Sequence, residues 1–215
     1  TGLSVNIISG RQEAILSYRA AIAGLFSNRL RKNILLVDIG GGSTELVYGQ
    51  KDKIIKINSL PIGAVNLTEK YLLAQPVSLS RWKDLLQFIN YKLSALKFPD
   101  LQISTCSFVG VAGTITTLAM MDLRLTRYLS ERVHGYRLKR KVLGQWLEDL
   151  RSKTCLQRQR IRGLPRERAD IILGGGAILW CLMQYFGFRQ IRVSEWGLRY
   201  GVILKLAGFF NPERR

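Results

Sequence analysis

Apolar residues change their spacing several times along the chain, and each change marks an expected element. Leu3 to Ile8 alternates loosely and is rich in branched side chains, the pattern of a short strand. After Gly10, Ile15, Tyr18, Ile22, Leu25 and Phe26 return at helical spacing. Ile34 to Val37 is an unbroken apolar run ending in Asp38, as in a strand buried on both faces. A glycine turn follows, and Leu46, Val47 and Tyr48 resume as a second strand. Residues 49–53 read as a hairpin turn into a third strand at Ile54, Ile55 and Ile57.

Helical spacing then dominates. One helix is expected from Gly63 to Leu73. Another starts near Ser80, a good N-cap, and carries Trp82, Leu85, Leu86, Ile89, Leu93 and Leu96 on one stripe before Pro99 stops it. Ser107 to Val111 is a fourth strand that enters a second glycine turn at Gly113, with a short helix expected beyond. Leu138 to Leu150 is amphipathic through Val142, Trp146, Leu147 and Leu150. Pro165 opens a long helix to about Phe186, Ile191 to Val193 is a fifth strand, and Glu195 to Leu206 is a last helix. The order implies an α/β fold: a mixed five-stranded sheet with helices on both faces and helical insertions. It is the element order of one actin-like (RNase H-like) lobe.

Composition narrows the partners. With 215 residues and 47% hydrophobic content the chain can bury a core. Thirty-three Lys and Arg stand against fifteen Asp and Glu, a net charge of +18. Such a field draws in polyanions: nucleic acid, an acidic membrane surface and polyphosphate all fit. No zinc finger, helix-turn-helix or aromatic RNA motif supports nucleic acid. The most apolar stretch, Ile171 to Met183, is too short to span a bilayer, so no membrane is expected. Cys106, Cys155 and Cys181 are scattered and odd in number, which argues against a disulfide scaffold or a zinc site and suits a reducing cytoplasm.

The strongest chemical signal is Val37-Asp-Ile-Gly-Gly-Gly-Ser-Thr-Glu-Leu46. Glycines let backbone approach a ligand, and successive N–H groups in such a turn can cradle phosphate oxygens. The turn can bring Asp38 and Glu45 to one ligand, as magnesium requires. A plain glycine hairpin with a capping Asp is the alternative. Glu13 alone reads as a surface carboxylate in the first turn of a helix. His134, the only histidine, has no companion nucleophile or ligand and reads as structural. Arg158, Arg160, Arg162, Arg166 and Arg168 crowd one stretch, either as a polyanion track or as a solvated basic face.

These strings resemble those of the Ppx/GppA phosphatases. Val37 to Leu46 resembles that family's D-[IL]-G-G-G-S-T-E signature, and Ile8-Ser-Gly-Arg-Gln-Glu-Ala14 its I-S-G-x-x-E-A. Ser59-Leu-Pro-Ile-Gly-Ala-Val-Asn-Leu-Thr-Glu69 and Val111-Ala-Gly-Thr-Ile-Thr-Thr-Leu-Ala119 follow in order. Val133-His-Gly135, Arg168-Ala-Asp-Ile-Ile-Leu-Gly-Gly175 and Val193-Ser-Glu-Trp-Gly-Leu-Arg199 complete the set. The resemblance implies a hydrolase that removes terminal phosphates from inorganic polyphosphate or guanosine pentaphosphate. It implies Glu13 as the base that activates water, and Asp38 and Glu45 as carboxylates for Mg2+. Gly40, Gly41, Gly42 and Ser43, with Gly113 and Thr114, would hold phosphate. Arg168 stands in one of the family strings, whereas Arg158, Arg160 and Arg162 lie in the family's variable segment and are polyanion-binding candidates on their charge alone. Residues 1–32 would form a hinge strand and helix carrying the glutamate, and residues 33–215 the second of two actin-like lobes. The first lobe's D-x-G-S/T-x-S/T loop is not among these 215 residues, so that lobe counts as an expected partner, and a homodimer is allowed for. A non-catalytic sensor of polyphosphate or guanosine tetraphosphate, or an actin-fold ATPase or kinase, remains the alternative. Glu195 and Arg199 would pair within the last helix.

Overall fold

The computed structural model describes residues 7–26, 33–50, 53–98 and 105–209. Its six strands run in the order β3-β2-β1-β4-β6-β5. β1 (Asn33–Ile39), β2 (Thr44–Gln50) and β3 (Lys53–Leu60) form an antiparallel meander. β4 (Cys106–Val111) lies parallel to β1, and β6 (Gln190–Val193) parallel to β4. β5 (Arg137–Lys139) closes the edge antiparallel to β6.

Side-chain parity along β1 divides the core. Leu35, Val37 and Ile39 face the larger cluster, beneath α2 (Ala64–Tyr71), α3 (Leu79–Ser94), α4 (Ala112–Asp122), α6 (Arg140–Arg151) and α8 (Ile172–Tyr185). Ile34 and Leu36 face the smaller cluster with Ala14, Tyr18, Ala21 and Leu25 of α1 (Gly10–Leu25). α9 (Leu198–Leu206) packs beside α1. The short helices α5 (Ser130–Val133) and α7 (Cys155–Arg158) complete the layers. Helices on both faces of a mixed sheet agree with the sequence reading.

Several expectations are corrected. The sheet has six strands, not five, because Leu138 belongs to β5 and α6 starts only at Arg140. α3 is capped by Ser78, not Ser80: the Ser78 hydroxyl accepts from Arg81 N–H at 3.3 Å. Pro165 opens only a 3-10 turn, Arg166–Arg168. Beyond it, Asp170 Oδ1 accepts from Ile171 N–H at 2.9 Å, and α8 begins separately at Ile172. The last helix starts at Leu198, so Glu195 precedes it and forms no ion pair with Arg199. The strand expected at Leu3 to Ile8 falls mostly outside the described residues, as does Pro99; Ile7 and Ile8 are exposed and lead into α1. Among the described residues no helix is long and apolar enough to cross a membrane.

Candidate active site

Strand pairing assembles an acidic group. Asp38 stands opposite Glu45 across the β1–β2 ladder, and Glu45 stands opposite Ser59 across β2–β3. Directly opposed residues share a face, here the face covered by α1. Ser59 Oγ donates to Glu45 Oε1 at 2.9 Å. Glu13 arrives from α1, whose start is set by a reciprocal cap. Ser9 Oγ accepts from Gln12 N–H at 3.2 Å, and Gln12 Oε1 accepts from Ser9 N–H at 2.9 Å. That capping box places exposed Glu13 in the first turn.

Asp38 feels the charge of both other carboxylates. Asp38 is pushed up to about 7, first by loss of hydration, then by repulsion from Glu45, then by repulsion from Glu13. None of the three forms an ion pair among the described residues. The ion pairs among the described residues, Glu148–Arg151 and Asp149–Lys153, lie at the end of α6. The same residues contain no group of three His, Cys, Asp or Glu side chains that could enclose a metal ion.

Beside the carboxylates, the glycine turn separates its carbonyls from its amides. Gly40 N–H donates to Ser43 O at 2.9 Å and closes the turn. Gly40 O and Gly41 O accept from Ala64 and Val65 N–H at 2.9 Å each, capping α2. Asn66 Nδ2 donates to Gly42 O at 2.9 Å, and Asn66 Oδ1 accepts from Gly63 N–H at 2.8 Å. The carbonyl side is thus occupied by α2, while the N–H groups of Gly41, Gly42 and Ser43 meet no acceptor among the described residues. None of the three glycines has a positive φ. A Cβ on Gly42 would meet nothing within 4 Å. Neither turn geometry nor packing therefore demands glycine at position 42; what glycine leaves there is clearance in front of free amides. Gly63 differs, because its Cβ would fall 2.3 Å from Gly41 O.

The second turn lies at the end of the neighbouring parallel strand. Ala112, not Gly113, takes the left-handed conformation, at φ 68. Thr114 Oγ1 donates to Ile39 O at 3.3 Å and ties this turn to β1. Val111 precedes α4 without any side-chain cap. A Cβ on Gly113 would fall 2.2 Å from Arg168 Nη2, so the Arg168 guanidinium lies against the start of α4. Arg168, which stands inside one of the family strings, is thus the arginine of the basic 158–168 run that reaches the second turn.

Arg158 is the clear error in that run. It is fully buried. Its Nε donates to Leu150 O at 2.8 Å and its Nη1 to Ala169 O at 3.4 Å. It holds the segment between α6 and α8 together and cannot face a polyanion. Arg160 and Arg162 are exposed. His134 joins α1 to the loop after β6: Nε2 lies 3.0 Å from Gly24 O, and Nδ1 accepts from Glu195 N–H at 3.3 Å. Glu195 itself accepts from Ser130 Oγ. Burial pushes the Cys106 and Cys181 thiols up to about 11 and about 12, so neither is a nucleophile.

Comparison with known proteins follows the same lines. Residues 1–209 match the model of the Ppx/GppA phosphatase family. The chain belongs to that family. A Ppx/GppA phosphatase of Aquifex aeolicus of known structure superposes with a TM-score of 0.84 at 34% identity, covering 95% of this chain and 66% of that one. This Ppx/GppA chain is 34% identical to exopolyphosphatase 2 of Mycobacterium tuberculosis over 96% of its own length and 65% of the relative's. It is 35% identical to a bifunctional 3-dehydroquinate synthase/phosphatase of Fusobacterium nucleatum over 95% of its length and 31% of the relative's. The chain therefore spans less than two thirds of these curated relatives. The fold is the actin-like one of the Ppx/GppA proteins.

Proposed function

We propose that this chain carries the hydrolytic side of a phosphoanhydride-cleaving site, removing the terminal phosphate of inorganic polyphosphate or, alternatively, guanosine pentaphosphate. One observation carries the reading: the backbone amides of Gly41, Gly42 and Ser43, which meet no acceptor among the described residues, adjoin three carboxylates that form no ion pair among those residues. The amides suit phosphate oxygens. The second turn, with the open start of α4 and Arg168 against it, suits the rest of the phosphate chain. The net charge of +18 favours arrival of such substrates.

In this reading Glu13 accepts a proton from a water as that water attacks the terminal phosphorus. The P–O bond to the bridging oxygen breaks, and the shortened chain leaves with that oxygen. Glu13 suits the base role because it is exposed and reaches the site from a separate element. Asp38 and Glu45 fit Mg2+, since they are opposed carboxylates short of positive charge. Two protein carboxylates are enough for an ion that completes its shell with phosphate oxygens and water. When bound, it would neutralise charge on the phosphate.

The test is Glu13→Gln, assayed for phosphate release in a chain that also carries a first lobe of the family type. Turnover should fall by about a hundred- to ten-thousand-fold with polyphosphate affinity nearly intact. Asp38→Asn should instead recover part of its activity as magnesium is raised. The same magnesium response in both variants would refute the division into base and metal ligand.

A further inference from the structure

Far from the carboxylates the molecule has an open cavity of about 550 Å3. It lies between the start of α6 and the end of α8, where β6 begins. β1, β4 and β6 are parallel, and Asp38 stands at the far end of β1. α6 and α8 cover one face of the sheet, whereas Glu13 belongs to α1 on the other. The cavity and the acidic group therefore occupy opposite ends and opposite faces.

Its walls are cationic. Lys139, Arg140, Lys141 and Arg189 line it, and no lining residue is acidic. None of the four joins an ion pair among the described residues. Arg140 is partly engaged: its N–H donates to Arg189 O at 2.9 Å and its Nη1 to Met183 O at 3.1 Å. These bonds clip the start of α6 to the end of α8 and shape the floor. Lys139, Lys141 and Arg189 are exposed and remain available. α6 starts without a side-chain cap or an acidic residue in its first turn. Lys141 and Val142 stand in the first turn of α6, where backbone N–H groups point out of the helix start. Trp180 supplies an aromatic wall, and Gly144 makes room for it, since a Cβ there would fall 3.3 Å from the indole Nε1.

We propose that this cavity is a second anion site that binds a condensed phosphate group, separate from the hydrolytic site. Several adjacent cations with no counter-charge make a local positive field that attracts an anion of matching multiplicity. A condensed phosphate carries several charges and many acceptor oxygens in a short length. Its source is either a free phosphate chain or the tail of a nucleotide whose base lies on Trp180. The inference rests on the cavity alone, not on the hydrolytic reading.

The experiment is a magnesium-free titration of the 15N-labelled chain with inorganic tripolyphosphate, followed by amide and indole resonances. Saturable shifts at Lys141, Val142 and the Trp180 indole N–H are expected. Lys141→Glu with Arg189→Glu should weaken that binding by about tenfold or more. Lys83→Glu with Lys97→Glu, the same charge change at exposed positions elsewhere, should leave it within about threefold, the size of a screened long-range effect. Shifts confined to the Gly41–Ser43 turn would overturn the second site and leave the hydrolytic reading standing. Equal weakening by both charge reversals would also overturn it, since the attraction would then be the general field. A parallel titration with GTP identifies the source: tighter binding with larger Trp180 shifts supports a nucleotide, and matched binding supports the free chain.

Discussion

The two turns at the ends of β1 and β4 sit side by side, yet they are built with opposite charge. The first, Gly40 to Ser43, directs its carbonyls into α2 and stands among Glu13, Asp38 and Glu45. The second, Val111 to Thr114, runs directly into α4 and lies under the Arg168 guanidinium. One turn adjoins three carboxylates, where burial first and then repulsion from Glu45 and Glu13 push Asp38 up to about 7; the other offers a helix start and a cation. Under the proposed function, a phosphate chain lying across both would meet metal and water at its end and positive charge along its length. The buried hydroxyl of Thr114 on Ile39 O ties the two turns together.

The comparison breaks most readily at Asp38. Its carboxyl titrates near 7 in the fold and near 3.8 when unperturbed. The folded state thus holds the proton more tightly, and metal-free stability falls as pH rises from about 4 through 7. Between pH 5 and pH 8 the loss should be about 3 kcal/mol. Urea unfolding in chelator should show this slope, Asp38→Asn should flatten it, and magnesium at pH 8 should offset it. A slope unchanged in Asp38→Asn would mean the negative charge is not concentrated there.

Within the first turn, two glycines should respond differently. Gly63→Ala forces a Cβ against Gly41 O and should cost about 1–3 kcal/mol in chemical denaturation. Gly42→Ala meets open space and should stay within about 0.5 kcal/mol, while weakening phosphate binding. Equal destabilisation by both would return Gly42 to a purely structural role. A binding effect tests the second turn. Arg168→Gln should weaken tripolyphosphate binding about tenfold, or about 1.4 kcal/mol, and should not change the pH slope set by Asp38.

Much of this was legible before any coordinates. Long elements announce themselves because burial repeats with the period of the strand or helix. Hence β1 to β4, α1 and α3 are found close to where the spacing put them. The strings around Asp38 and Gly113 were legible too, since tight turns beside carboxylates use few residue types, whereas Glu13 stood out only through the family resemblance. β5 was not, because three residues, with only Leu138 buried, cannot establish a period against the helix that follows.

The linear sequence on its own determined the order of the long elements, the family and the carboxylates and glycines that make up the candidate site. Tertiary structure decided which arginine does what. Arg158 and Arg168 are chemically identical and stand ten positions apart in one basic run. Yet Arg158 is sealed inside against Leu150 O and Ala169 O, while Arg168 lies on the α4 start. It also decided that Asp38, Glu45 and Glu13 repel one another. Proximity between residues far apart in the chain depends on strand register and helix packing, and the interaction of charges depends on distance and solvent; a string of letters carries neither.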